Sequence, residues 1–223
     1  MLAYVSLWSA DLLALGDAVD RLGEVADGFH VDVFDGHNVP ELLFGPDLVA
    51  ALRARTTTLL DIHLNVSDPD FWAPRFIEAG ADMVTVQSGA SKDIAATLGS
   101  IRSAGAQPSL GLEVHEPVGQ AESLFDAVDR VLVMGTVIGI KGAQLDPTTP
   151  GRVSALVGAR AARMGDGARP LVVVDGGIRP HTVMILAEAG ADGVVPGSFV
   201  FGHPDPVAAV HELHGLGRTA GAK

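Results

Sequence analysis

Two short stretches hold the residue types that do chemistry. In FHVDVFDGH, residues 29–37, His30 and Asp32 stand two apart inside an apolar run, and in LLDIHLNV, residues 59–66, Asp61 and His63 repeat the spacing. Side chains two apart in a strand share a face, so each pair projects together while Phe29, Val31 and Val33 take the opposite face. Burying such groups costs free energy unless they are hydrogen-bonded or bind a cation. Imidazole with carboxylate is a donor set for zinc first, and also for iron, manganese or cobalt. Two more apolar runs end on chemistry. LVVVDGG closes on Asp175, Gly176 and Gly177, and GVVPGS on Gly197 and Ser198. Turns of this kind expose backbone N–H groups, which bind phosphate.

The elements that must position these residues recur along the whole chain. Strand-like apolar runs fall near 3–7, 29–33, 59–63, 83–86, 109–113, 130–134, 171–174 and 193–195. Between most of them lie segments with helical spacing, at 46–54, 70–79, 92–104, 151–164, 180–189 and 205–214. EAGAD occurs twice, at 78–82 and 188–192, each time ahead of a short apolar run. A glycine there ends a helix and the chain enters a strand. Eight such units and no dinucleotide fingerprint favour a closed α/β fold, a (β/α)8 TIM barrel over residues 1–223, above a doubly wound open sheet. Residues 215–223, GLGRTAGAK, read as a tail. In a barrel the C-terminal ends of the strands meet at one mouth. Closure would gather Ser6, His30, Asp32, Asp61, His63, Asp175, Gly197 and Ser198 there. Two histidines and two carboxylates from three strands would suit one divalent cation. Hydrogen-bonded core histidines are the alternative.

Composition narrows the partners. Of 223 residues, 48% are hydrophobic and 19% charged, enough for a substantial core. A formal charge of −12 argues against non-specific binding to nucleic acid or anionic membrane. An anionic substrate must then be held by local dipoles. With no cysteine there is no thiolate ligand or cysteine nucleophile. The opening MLAYVSLWSADLLALG lacks a basic leader and reaches Asp11 too early for a signal peptide or membrane span, so a cytoplasmic protein is expected. Self-association is open.

Taken together, SLWSADLLALG, FHVDVFDGH, DIHL, VVVDGG and PGS resemble, in order and spacing, the ribulose-phosphate 3-epimerase family across residues 6–198. The resemblance implies a (β/α)8 barrel that carries one divalent metal, often zinc, on two histidines and two aspartates. By position these are His30, Asp32, His63 and Asp175. Asp32 and Asp175 would double as the acid/base pair. Ser6 and His63 would contact the substrate, while Gly176, Gly177, Gly197 and Ser198 hold phosphate. The implied reaction is 3-epimerisation of D-ribulose 5-phosphate to D-xylulose 5-phosphate, with another ketose phosphate, such as D-allulose 6-phosphate, as the alternative.

The match departs from the family around the mouth. The family's loop after the sixth strand reads close to N-P-G-F-G-G-Q, and here MGTVIGIKGAQ stands in its place. Gly139 and Gly142 remain, Val137 and Ile138 replace Asn-Pro, and Lys141 replaces a glycine and could supply charge to a phosphate. Phe34 and Asn65 stand where the family has methionines, Gln87 where a histidine is common, and Glu113 and His115 where apolar or amide side chains are usual. A Schiff-base aldolase is disfavoured, because of Lys92, Lys141 and Lys223 only Lys141 lies near the mouth. Hexulose-phosphate synthases and related decarboxylases would need a lysine near Asp32, where Val31 and Val33 stand. A non-catalytic sugar-phosphate-binding relative is the further alternative: the altered loop keeps it open, although a binder has no need of two carboxylates.

Overall fold

Eight strands of alternating character bury both faces when they close on themselves, apolar side chains outward against helices and the other set inward. The computed structural model, which describes residues 1–165 and 169–220, has this arrangement. The strands are β1 (Leu2–Ser6), β2 (Gly28–Asp35), β3 (Leu60–Asn65), β4 (Met83–Gln87), β5 (Gln107–Leu112), β6 (Arg130–Met134), β7 (Leu171–Asp175) and β8 (Gly193–Val195). All eight are parallel, and β1 pairs with both β2 and β8, so the sheet is a closed (β/α)8 barrel. Helices at Pro46–Arg53, Pro69–Glu78, Ile94–Ser103, Thr149–Met164 and Pro180–Glu188 fall on the expected segments. The final helix, Pro206–Ala220, carries into the stretch read as a tail. The last three residues of that stretch, Lys223 among them, lie outside the described residues. Unforeseen additions are a helix at Leu15–Leu22 and a short antiparallel pairing of Leu42–Leu43 onto the end of β2. None of the helices among the described residues is long and apolar enough to cross a membrane.

The outward residues, such as Val31, Ile62, Val84, Leu110, Val131 and Val172, are fully buried in one core with the helices. A smaller apolar cluster inside the barrel joins Tyr4, Leu132, Met134, Val173 and Val195. The rest of the interior is polar: His30, Asp61, His63, Thr85, Ser109 and Arg130 all have no exposed surface.

The repeated EAGAD has a structural reason at the opposite end of the barrel. Its glycines, Gly80 and Gly190, take positive φ after the helices, and the aspartate that follows reaches the neighbouring strand. Asp82 accepts from the Leu60 N–H at 2.8 Å and Asp192 from the Val172 N–H at 2.7 Å. Asp27 does the same for Ala3 at 2.8 Å. The fourth member, Asp129, faces Pro108, which has no N–H to give, and pairs instead with Arg102 and Arg169. Each even strand thus enters the barrel behind an aspartate, and three of those aspartates are tied to the odd strand before them. Replacing Asp192 with Ala would leave the Val172 N–H unpaired and the buried Arg160 guanidinium with the Pro170 carbonyl but no counter-ion. The expected cost is about 2–3 kcal/mol, read as a lower midpoint in thermal unfolding.

Candidate functional site

The register between β2 and β3 sets His30 beside Asp61 and Asp32 beside His63. Two residue pairs that the sequence places on separate strands therefore become one lattice of alternating imidazole and carboxylate. Asp175 comes in from the end of β7. One donor atom from each of His30, Asp32, His63 and Asp175 lies within 4.8 Å of the other three. His30 Nε2 is 3.3 Å from Asp32 Oδ1 and 3.6 Å from Asp175 Oδ2. His63 Nδ1 is 3.2 Å from Asp32 Oδ1 and 3.7 Å from Asp175 Oδ2.

These donors fit a divalent cation for a reason beyond proximity. His63 Nδ1 is fully buried and, although close to Asp32, is not aligned with it for a hydrogen bond. A buried ring nitrogen left so, facing two carboxylates, is suited to give its lone pair to a cation. The outer nitrogens of both rings are held from behind. His30 Nδ1 lies 2.7 Å from Asp61 Oδ2, and His63 Nε2 lies 2.7 Å from the Gln87 amide. Support of this kind orients metal-binding histidines.

Asp61 is itself gripped by a residue that sequence reasoning missed. Arg130, at the start of β6, is fully buried in the barrel interior. Its Nη1 donates to Asp61 Oδ2 at 2.7 Å and its Nη2 to Asp61 Oδ1, forming a two-pronged ion pair. Arg130 also donates to Thr85 Oγ1 at 2.7 Å and Ser109 Oγ at 3.0 Å, and its guanidinium lies 5.1 Å from the Tyr4 ring centre. The signal was present in period-2 alternation: Arg130, Leu132 and Met134 share one face, so an inward Met134 puts Arg130 inside as well.

The electrostatics separate the carboxylates. Burial alone would raise Asp32, but His30 and His63 outweigh it and hold the carboxyl well below its usual range. Burial pushes Asp175 up to about 6, with Asp32 adding to the rise and His30 opposing it. Burial likewise works against an imidazolium at His30, yet Asp32 and Asp61 more than offset it and raise its pKa.

The remaining expected residues gather around this cluster. Ser6 Oγ donates to Asp32 Oδ2 at 3.4 Å. Gly176 (φ +96°) and Gly177 (φ +72°) turn the chain after β7, and a Cβ on Gly177 would lie 2.5 Å from the Leu145 backbone. One cleft is lined by Ser6, Asp32, His63 and Asp175 together with Gly176, Gly177, Gly197 and Ser198. Among the described residues, the amides of those last four donate to no backbone carbonyl. The loop carrying Gly139, Lys141 and Gly142 closes one side of this cleft. Lys141 does something the sequence did not announce. Its Nζ donates to the Trp8 carbonyl at 2.7 Å and sits 4.6 Å from the indole centre, fastening this loop to the turn after β1.

The chain is similar to other proteins in sequence and in fold. The model of the ribulose-phosphate 3-epimerase family matches residues 3–201. A ribulose-phosphate 3-epimerase from Bacillus subtilis (strain 168) is 36% identical over 94% of this chain and 96% of its own. One from Mycobacterium bovis is 37% identical over 97% of this chain and 92% of its own. The chloroplastic ribulose-5-phosphate-3-epimerase of Arabidopsis thaliana is 36% identical over 96% of this chain and 76% of its own. Among solved structures, KGPDC from Streptococcus mutans superposes with a TM-score of 0.72 at 17% identity, covering 98% of this chain and 97% of that one. Orotidine 5'-phosphate decarboxylase from Pyrococcus horikoshii OT3 gives 0.71 at 15% identity, covering 97% of this chain and 99% of that one. Both share the barrel.

Asp61 is held well below the usual carboxylate range: burial opposes its ionisation, but Arg130 and His30 prevail. A depressed folded-state pKa stabilises the fold above the unfolded value, 3.8 here, and that stability is lost as pH falls below it. In urea unfolding between pH 5 and 3, the wild type should lose stability more steeply than Asp61→Asn. The variant starts lower because Arg130 is left unpaired.

Proposed function

The chain belongs to the ribulose-phosphate 3-epimerase family, and on that footing we propose that it inverts carbon 3 of a ketose phosphate, taking D-ribulose 5-phosphate to D-xylulose 5-phosphate. The observation that carries this reading is the convergence of two buried carboxylates, Asp32 from β2 and Asp175 from β7, on one cluster with His30 and His63.

Epimerisation beside a carbonyl removes the C3 proton from one face and returns a proton to the other. One carboxylate takes the C3 proton, the C–H electrons move toward the C2 carbonyl, and an enediolate forms. The opposite carboxylic acid then delivers its proton to C3, restoring the ketone with inverted configuration. The site starts with the two acids in unequal states, Asp32 held ionised and Asp175 raised toward protonation, as such a pair needs. In the reverse direction the roles exchange. His30, Asp32, His63 and Asp175 would hold one divalent cation. Zinc is the leading choice for this nitrogen and oxygen donor set, with iron, manganese or cobalt as alternatives. When bound, the cation supplies Lewis-acid stabilisation of the enediolate oxygen. Ser6 orients Asp32. The free amides of Gly176, Gly177, Gly197 and Ser198 receive the phosphate, which a chain of net charge −12 would otherwise repel. Gly139, Lys141 and Gly142 cover the bound sugar from the loop that Lys141 pins to Trp8.

Four results test this reading. Asp32→Asn and Asp175→Asn should each lower kcat at least about 10³-fold with D-ribulose 5-phosphate, while circular dichroism stays native. Near-wild-type turnover in either would remove the two-base scheme. Metal analysis should return one divalent cation per chain, lost in His63→Ala. Cation affinity should rise with pH through neutrality, because the raised pKa of His30 means a proton must leave as the cation binds. Lys141→Ala should raise KM several-fold by freeing its loop. An unchanged KM would show that the pin to Trp8 contributes nothing to binding.

A further inference from the structure

The ring order of the barrel puts β7 and β8 across from β3 and β4. The glycine turns follow β7 and β8, and the ends of β3 and β4 carry Asn65 and Gln87. A sugar with its phosphate on the glycine turns and its reacting carbon at Asp32 and Asp175 must point its other end toward these two amides. A second cavity of about 180 Å³ lies there, adjoining the main cleft along Thr136, Val137 and Ile138, which line both. That is far more than the roughly 10–15 Å³ a single water needs. Asn65 and Gln87 line its depth, and the exposed Glu113 and His115 lie at its rim.

The two amides are short of partners. Asn65 is 1% exposed and Gln87 5%. One end of the Gln87 amide meets His63 Nε2 at 2.7 Å and reaches Asn65 Oδ1 only at 3.4 Å. The other end, Oε1, is buried with no hydrogen-bond partner. Turning the amide over exchanges the two atoms and leaves a nitrogen unpaired in the same place. The Asn65 nitrogen has a single long contact, 3.5 Å to the His63 carbonyl. Room for this pair is left by Gly111, where a Cβ would come within 2.6 Å of Gln87 Oε1. Buried amides with unused donors and acceptors beside a cavity are costly unless something polar fills it.

We infer that this cavity receives the hydroxylated end of the sugar beyond its carbonyl, and that Asn65 and Gln87 select ketose phosphates bearing a hydroxyl on C1. The inference rests on reading the main cleft as a sugar-phosphate site. A hydroxyl both donates and accepts, so it satisfies either orientation of the two amides. An analogue lacking it leaves them unpaired, and pockets built on such hydrogen bonds reject the deoxy compound strongly.

The test compares D-ribulose 5-phosphate with 1-deoxy-D-ribulose 5-phosphate in the wild type, Asn65→Leu and Gln87→Leu. The wild type should favour the hydroxylated substrate in kcat/KM by about ten- to hundred-fold. The preference should fall at least about ten-fold in Asn65→Leu, and in Gln87→Leu as well. Each ratio is taken within one preparation, so the fraction of folded protein cancels. Equal handling of both substrates by the wild type overturns the inference, as does an unchanged ratio in the leucine variants. Calorimetric titration with ribitol 5-phosphate and its 1-deoxy analogue reads the cavity without turnover. The wild type should bind the first more tightly by a similar factor, and Asn65→Leu should lose the difference. Equal binding of the two alditols by the wild type again overturns it. Discrimination between alditols without turnover of either ketose would instead count against the epimerase reading and leave the cavity assignment standing.

Discussion

The ion pair between Arg130 and Asp61 at the centre of the barrel is the interaction on which the site depends. Both side chains are wholly removed from water. Desolvating two such charges is expensive, and their attraction repays it only with good geometry and further hydrogen bonds. Here the guanidinium is satisfied by Asp61, Thr85 and Ser109 together, and the remaining reach of Asp61 goes to His30. A well-packed apolar plug would serve stability as well or better. What the charged pair adds is a fixed carboxylate beneath His30, and so a fixed ring orientation at the mouth. The chain of contacts runs from β6 through β3 to β2.

From that anchor the mouth divides into three regions, each set by which strand ends where. The acids and imidazoles come from β2, β3 and β7 and occupy the centre. Backbone amides without partners follow β7 and β8. Across the axis, β3 and β4 end in side-chain amides instead of apolar groups. Opposite edges of one ring are therefore chemically unlike, and an extended molecule with an anionic end and a hydroxylated end has one sensible orientation in it. Pinning the loop after β6 to Trp8 narrows the opening on one side, with Lys141 spanning the gap.

Much of this was legible in the chain because strands write their faces at period two. His30 with Asp32, and Asp61 with His63, could be placed on common faces from spacing alone, and EAGAD marked two helix-to-strand entries before the role of its aspartate was visible. What stayed hidden was register and distance. Nothing local in DIHL says that Asp61 lies beside His30 instead of within the cluster of His30, Asp32, His63 and Asp175, since that follows from how β2 and β3 pair. Arg130 passed as the polar head of an apolar run, although its alternation with Leu132 and Met134 placed it inside. Lys141 reads from the sequence as able to supply charge to a phosphate, but nothing local says that it also holds a carbonyl in a turn 133 residues earlier. Gly215 and its glycine-rich neighbours read as a tail because glycine disfavours helix. Helical structure nonetheless runs to Ala220.

The most direct measurement of the central claim, that Asp32 and Asp175 exchange a proton at carbon 3 beside a cation held by His30 and His63, is isotope exchange. Metal-analysed protein is incubated with D-ribulose 5-phosphate in D₂O, and C3 is followed by NMR. Deuterium should enter C3 as D-xylulose 5-phosphate forms, and both should cease when the cation is stripped. With one cation bound per chain, an absence of deuterium at C3 and of the epimer would contradict it.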